Sequence, residues 1–132
     1  MRNNSKKVKK ILIVEDDFIS AEVYKDTLLS LGCGTVNVVH DSKEAVKKAL
    51  ALKPHYIFLD IGMEYKTAGI DVCNKIKKQL PRTKVYFLTA YDLESFEDEL
   101  INVDFDGYID KLNFVDDVLK IIGCSDKRKG SP

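Results

Sequence analysis

The chain has 132 residues, 45% hydrophobic and 32% charged, with 21 Lys and Arg against 21 Asp and Glu for a formal net charge of zero. That is the size and composition of one globular domain, too short for two, and no apolar run approaches the ~20 residues of a membrane helix. The basic, polar start has no apolar stretch of a secretory signal, and Cys33, Cys73 and Cys124, widely spaced and without a C-x-x-C pair, read as reduced thiols in a cytoplasmic protein.

Residues 1–10 carry five bases and no acid, and residues 123–132 carry three bases and one acid. Both ends read as flexible, 1–7 as a basic tail and 123–132 as a tail or a cut linker, with the folded region over 8–122. Inside it, short apolar runs alternate with longer amphipathic segments. Residues 11–14 (ILIV) form a β-branched run expected of a strand buried on both faces. Phe18, Ala21, Tyr24, Leu28 and Leu31 follow at helical spacing, and Gly32 and Gly34 stop them. A second strand over 36–39 leads into Asp41-Ser42-Lys43-Glu44, a helix start with an acid three residues after the cap, and Pro54 ends that helix. Residues 56–59 are the third strand, and the third helix carries Ile70, Val72, Cys73, Ile76 and Leu80 before Pro81. Residues 85–88 are the fourth strand. Leu93, Phe96, Leu100 and Ile101 mark a fourth, strongly acidic helix, 108–109 a short fifth strand, and Phe114, Val115, Val118, Leu119 and Ile122 the last helix.

Strands alternating with helices give (βα)5, and right-handed crossovers fold such a chain into a doubly wound, five-stranded parallel α/β sheet with helices on both faces. Chemistry in that architecture sits at the carboxyl ends of the strands. The first strand runs into Glu15-Asp16-Asp17, the third into Asp60-Ile61-Gly62, the fourth into Thr89-Ala90 and the fifth into Asp110-Lys111. Carboxylates from the first and third strands repel in a partly desolvated cleft, and a raised pKa, a cation or a lysine relieves them. Hard oxygen ligands in a shallow site suit Mg²⁺, whereas zinc would want His or Cys. A carboxylate beside such a cation can attack phosphorus, and Lys111 and the Thr89 hydroxyl would then meet the phosphoryl oxygens.

These residues resemble the response-regulator receiver domain of two-component signalling, a flavodoxin-like fold. Residues 11–17 (ILIVEDD) are similar to its first strand and acid pair, Leu59-Asp60-Ile61-Gly62-Met63 to its phosphoacceptor motif, Leu88-Thr89-Ala90 to its switch threonine, and residues 107–111 (GYIDK) to its switch aromatic and lysine. The resemblance implies that Asp60 accepts a phosphoryl group from a histidine kinase or histidine phosphotransfer protein. Glu15, Asp16, Asp60 and the Gly62 backbone carbonyl would hold Mg²⁺, and Thr89 and Lys111 would contact the phosphoryl group. Tyr108 would turn inward as Thr89 moves, altering the surface of the fourth helix, fifth strand and fifth helix. That surface would signal to a downstream effector or pair with a second copy. The domain would assist only its own phosphorylation and dephosphorylation, without being an enzyme. No nucleic acid or membrane partner is expected.

The sequence departs from the family where Leu112 follows Lys111 in place of Pro, where Glu64 replaces another usual Pro, and in a loop over 63–69 that is one residue longer. Without Pro, a cis bond after Lys111 is not expected. Gly62 and Tyr91 occupy positions that tune water access in the family. Two other readings remain: a receiver-fold interaction module that ignores phosphate, and a Mg²⁺-dependent phosphohydrolase, against which stands Gly62 where such enzymes place a second Asp. Asp17 and Asp41 read as helix-start acids, and His40 and His55 as structural. Setting the ends aside leaves 13 basic and 20 acidic residues, and residues 91–117 hold ten acids against Lys111 alone. That acidic surface is expected to select a basic partner.

Overall fold

The structure, a computed structural model, describes residues 8–90 and 93–123. The expectations for the two tails, Cys124, Tyr91 and Asp92 lie outside those residues. The strands are β1 (Lys10–Val14), β2 (Thr35–Val39), β3 (Tyr56–Asp60), β4 (Lys84–Thr89) and β5 (Gly107–Asp110), and the helices are α1 (Phe18–Leu31), α2 (Ser42–Leu52), α3 (Ala68–Gln79), α4 (Glu97–Leu100) and α5 (Phe114–Ile122). All strand pairs are parallel, in the order β2-β1-β3-β4-β5. The doubly wound flavodoxin-like sheet is therefore as expected.

Side-chain alternation along the strands builds two cores. Leu12, Val14, Ile57, Leu59, Val85 and Phe87 face α2, α3 and the Phe96 segment, whereas Ile11, Ile13, Phe58, Leu88 and Ile109 face α1 and α5. Asp41 caps α2 by accepting the Glu44 N–H at 2.8 Å, the helix-start role expected of it. Asp17, at the N-cap of α1, accepts the Ser20 hydroxyl.

Three expectations are corrected. The fourth helix is a 3₁₀ turn over Leu93–Phe96 running into a single α-turn, α4, and Ile101 is 70% exposed. Glu94, Glu97, Asp98 and Glu99 crowd like charges at helical spacing with no base among them, which opposes a longer helix. Phe18 leaves the buried stripe of α1; it is exposed and stacks flat on His40, ring centroids 3.7 Å apart. Cys33 is buried and disulfide-bonded, while Cys73 is free and buried. Distance along the chain set no limit on how near folding brings its sulfur to another.

Gly69 brings α3 against the end of β3. Its N–H donates to the Ile61 carbonyl at 2.9 Å, and a Cβ at this position would lie 2.2 Å from the Asp60 carbonyl oxygen. Gly69→Ala must push α3 off the strand that carries Asp60, at a cost of about 1–3 kcal/mol, measurable as a lower urea midpoint. An unchanged midpoint would show that the contact relaxes freely.

Candidate functional site

Register decides which side chains meet. Val14 is level with Leu59, so Glu15 follows beside Asp60, and Asp60 is in turn level with Leu88. Glu15 and Asp60 continue the alternation of Ile13 and Phe58, and Lys111 continues that of Ile109, all toward the α1 and α5 side. Thr89 continues the other alternation, that of Val85 and Phe87, toward α3 and α4. Tyr108, level with Phe87, shares that second parity and is 58% exposed.

The result is a cleft of about 340 Å³ whose lining includes Glu15, Asp16, Asp60, Gly62, Thr89 and Lys111. Every sequence-predicted site residue except Tyr108 is brought to it. Glu15, Asp60 and Thr89 are buried and Asp16 is exposed. Carboxylate oxygens of Glu15, Asp16 and Asp60 lie within 4.8 Å of one another. Lys111 Nζ sits 2.9 Å from Glu15 Oε1 and 3.4 Å from Asp60 Oδ2. Glu15 Oε2 accepts the Asp17 N–H at 3.1 Å, and Asp60 Oδ1 accepts the Gly62 N–H at 3.2 Å.

One ammonium faces too many carboxylates. Burial works to raise the Glu15 pKa, but its contacts with Lys111 and Asp60 outweigh burial and hold it below the ordinary value. Burial likewise works to lower Lys111, and Glu15 and Asp60 together hold it above its ordinary value. Asp60 carries the surplus: burial first, then the Glu15 charge, pushes its pKa up to about 7. Asp16 is raised by burial and by Glu15. The Lys111 contact with Glu15 Oε1 has ion-pair distance without hydrogen-bond direction, so this buried oxygen has no hydrogen-bond partner among the described residues. A buried, unsatisfied carboxylate oxygen within reach of two more carboxylates is the donor set a hard divalent cation takes.

The departures from the family pattern have local causes. The Lys111–Leu112 bond is trans, as expected, since the described residues contain no cis peptide. A 3₁₀ turn over Lys111–Asn113 follows β5, and the Asp110 side chain accepts the Leu112 N–H at 2.9 Å, a donor that Pro lacks. Asp117 accepts the Asp110 N–H at 3.0 Å, so both ends of the turn are tied down. Glu64 reaches α2, accepting the Ser42 N–H at 3.0 Å and the Ser42 hydroxyl at 2.8 Å. His40 and His55 are structural: His40 Nδ1 lies 3.1 Å from the Glu15 carbonyl and His55 Nδ1 accepts the Lys10 N–H at 2.9 Å. Lys66, which the sequence did not single out, also lines the cleft. It comes from the loop between β3 and α3, where no periodicity signals direction.

The family model for the response regulator receiver domain matches residues 11–122. The chain belongs to this family. The alkaline phosphatase synthesis transcriptional regulatory protein PhoP of Bacillus subtilis is 35% identical over 104 residues, 78% of this chain and 42% of PhoP. The response regulator VraR of Staphylococcus saprophyticus is 32% identical over 80 residues, 61% of this chain and 38% of VraR. The matched stretch thus spans about two fifths of the length of these relatives. Among solved structures, the response regulator domain of Thermotoga maritima CheB superposes with a TM-score of 0.75 at 25% identity, covering 89% of this chain and 95% of that one. The receiver domain of the sensor histidine kinase PA1611 of Pseudomonas aeruginosa, with magnesium in its active-site cleft, shares the fold with a TM-score of 0.77 at 24% identity over 92% and 97% of the two chains.

The surplus charge on Asp60 predicts a pH dependence. Between its ordinary pKa of 3.8 and about 7 the folded receiver holds a proton that the unfolded chain has lost, so this stabilisation is full at low pH and disappears as pH rises through 7. In chelator, wild type is expected to lose about 2 kcal/mol more stability than Asp60→Asn between roughly pH 5 and 8. Paired urea melts at the two pH values measure this; parallel losses would place the surplus elsewhere.

Proposed function

We propose that this receiver accepts a phosphoryl group on Asp60 from a histidine kinase or histidine phosphotransfer protein in a Mg²⁺-dependent reaction, and that this switches the α4–β5–α5 surface toward a partner or effector. The observation that carries the reading is the meeting of Glu15, Asp16 and Asp60 within 4.8 Å in one cleft with Lys111. Glu15, Asp16, Asp60 and the Gly62 carbonyl are the residues that would hold Mg²⁺, which when bound would set positive charge against the phosphoryl oxygens.

Asp60 attacks as a carboxylate: an O–P bond forms, the P–N bond of the donor phosphohistidine breaks, and the imidazole leaves with the bonding pair. The Gly62 N–H orients the carboxylate through Oδ1, and Lys111 stands on the Oδ2 side, where it would neutralise the transferred oxygens. Thr89 offers its hydroxyl from β4, and Tyr108, exposed on the same strand parity, is the aromatic that would turn inward behind it. Exposed Phe18, Ile19 and Leu112 are close in sequence to cleft residues Asp17 and Lys111 and give a phosphodonor an apolar rim to dock on. The domain catalyses nothing beyond its own modification. Kinase phosphodonors draw on ATP inside the cell, which sets the cytoplasm as its place, where the Cys33 disulfide would meet reducing conditions. Among the described residues no helix is long and apolar enough to cross a membrane.

Residues 91–117 hold ten acids against Lys111, and Asp106, Asp110 and Asp117 among them already serve the fold through Lys77, Leu112 and Asp110. The remainder favours a basic effector and opposes symmetric pairing of this face with a second copy.

With Mg²⁺, acetyl phosphate is expected to label the protein, seen as a shift on a phosphate-affinity gel, and Asp60→Asn to abolish the shift. An unshifted wild type would end the phosphoacceptor reading. Effector binding is expected to weaken at least fivefold between about 0.05 and 0.5 M salt, and salt-independent affinity would remove the charge argument.

A further inference from the structure

Lys66 lines the cleft but has no part in the chemistry above. It is an exposed residue of the β3–α3 loop, and its ammonium is held on the α4 side: Nζ lies 5.3 Å from the Phe96 ring centroid and 3.8 Å from Glu99 Oε2. Phe96 lines the same cleft as Asp60, Thr89 and Lys111. A side chain rooted six residues after Asp60 is thus tethered to the first turn of α4, across the mouth of the site.

Both tethers are of the weak kind. The ion pair is solvent-screened, with the Lys66 and Glu99 side chains 60% and 35% exposed, and the cation–π contact, although its Phe96 ring is buried, is made by that same exposed lysine. A phosphoryl group on Asp60 would bring about two negative charges into the cleft. Against that, the single carboxylate of Glu99 is the poorer partner, and a lysine stem is long and flexible enough to turn inward.

We propose that Lys66 is a movable second ammonium for the phosphoryl group, exchanged between Glu99 and Phe96 on one side and the phosphoryl oxygens on the other. The proposal rests on Asp60 being the phosphoacceptor. Its consequence is a coupling by charge between the site and α4: occupation of Asp60 frees Glu99 and Phe96, and loosening Lys66 from α4 strengthens phosphoryl binding by the same factor. The route is separate from the Thr89 and Tyr108 parity, because Lys66 arrives from the loop and not from a strand.

The test is a titration of the whole chain with beryllofluoride and Mg²⁺, followed by amide NMR, which reads binding without chemistry. Lys66→Met is expected to weaken binding roughly fivefold, Lys66→Arg to restore most of it, and Glu99→Gln to tighten it roughly twofold. In the Lys66→Met background the Glu99→Gln gain should vanish, which separates a moving lysine from a general change of charge. Wild-type binding with unaltered affinity in Lys66→Met, or a Glu99→Gln gain that survives without Lys66, overturns the proposal alone. No binding by wild type removes the phosphoacceptor reading and this inference with it.

Discussion

The carboxyl edge of the sheet holds more negative charge than its one ammonium can neutralise. Lys111 pairs by charge with Glu15, the most buried of the described acids, and Asp60 is left as a carboxyl group that resists ionisation near neutral pH. Much of the surrounding structure serves that arrangement. The level ends of β1 and β3 set Glu15 beside Asp60, the close approach at Gly69 fixes the strand end that carries Asp60, and the turn braced by Asp110 and Asp117 aims Lys111 inward. Such a site is unfavourable when empty of cations and of phosphate, which gives a ligand or a modification something to relieve.

Two-residue alternation divides the labour. Glu15, Asp60 and Lys111 share the parity that faces α1 and α5, whereas Thr89 and Tyr108 share the parity of Val85 and Phe87, toward α3 and α4. The acids and ammonium of the cleft and the pair Thr89 and Tyr108 are therefore on opposite parities of the same few strands, joined at the cleft. The element nearest the responding parity is the least built one, a 3₁₀ turn and a single α-turn crowded with like charge. An element with so few hydrogen bonds of its own is easily moved.

Much of this was legible beforehand because the signals are local or periodic. Buried parallel strands read as runs such as ILIV, helices as 3.6-residue stripes, and parallel topology puts chemistry at strand ends, which offered Glu15-Asp16-Asp17, Asp60, Thr89 and Asp110-Lys111; the resemblance to the receiver family picked Glu15, Asp16, Asp60, Thr89 and Lys111 from among them. The failures share a cause. Phe18 obeyed the stripe but found His40, Ile101 obeyed it on a helix too charged to extend, and Cys33 found a bond that chain spacing did not announce. Each depends on what lies across space.

The sequence by itself determined the order of strands and helices and the set of groups at the strand ends, since these follow from apolar periodicity and from where each strand stops. Tertiary structure alone decided that Lys111 pairs with Glu15 more closely than with Asp60, that Glu64 caps α2, that Leu112 supplies an N–H its turn requires, and that Lys66 leans on α4 over the cleft. Those outcomes turn on distances of a few ångströms between side chains remote in sequence, and on which of several charges burial leaves without a partner.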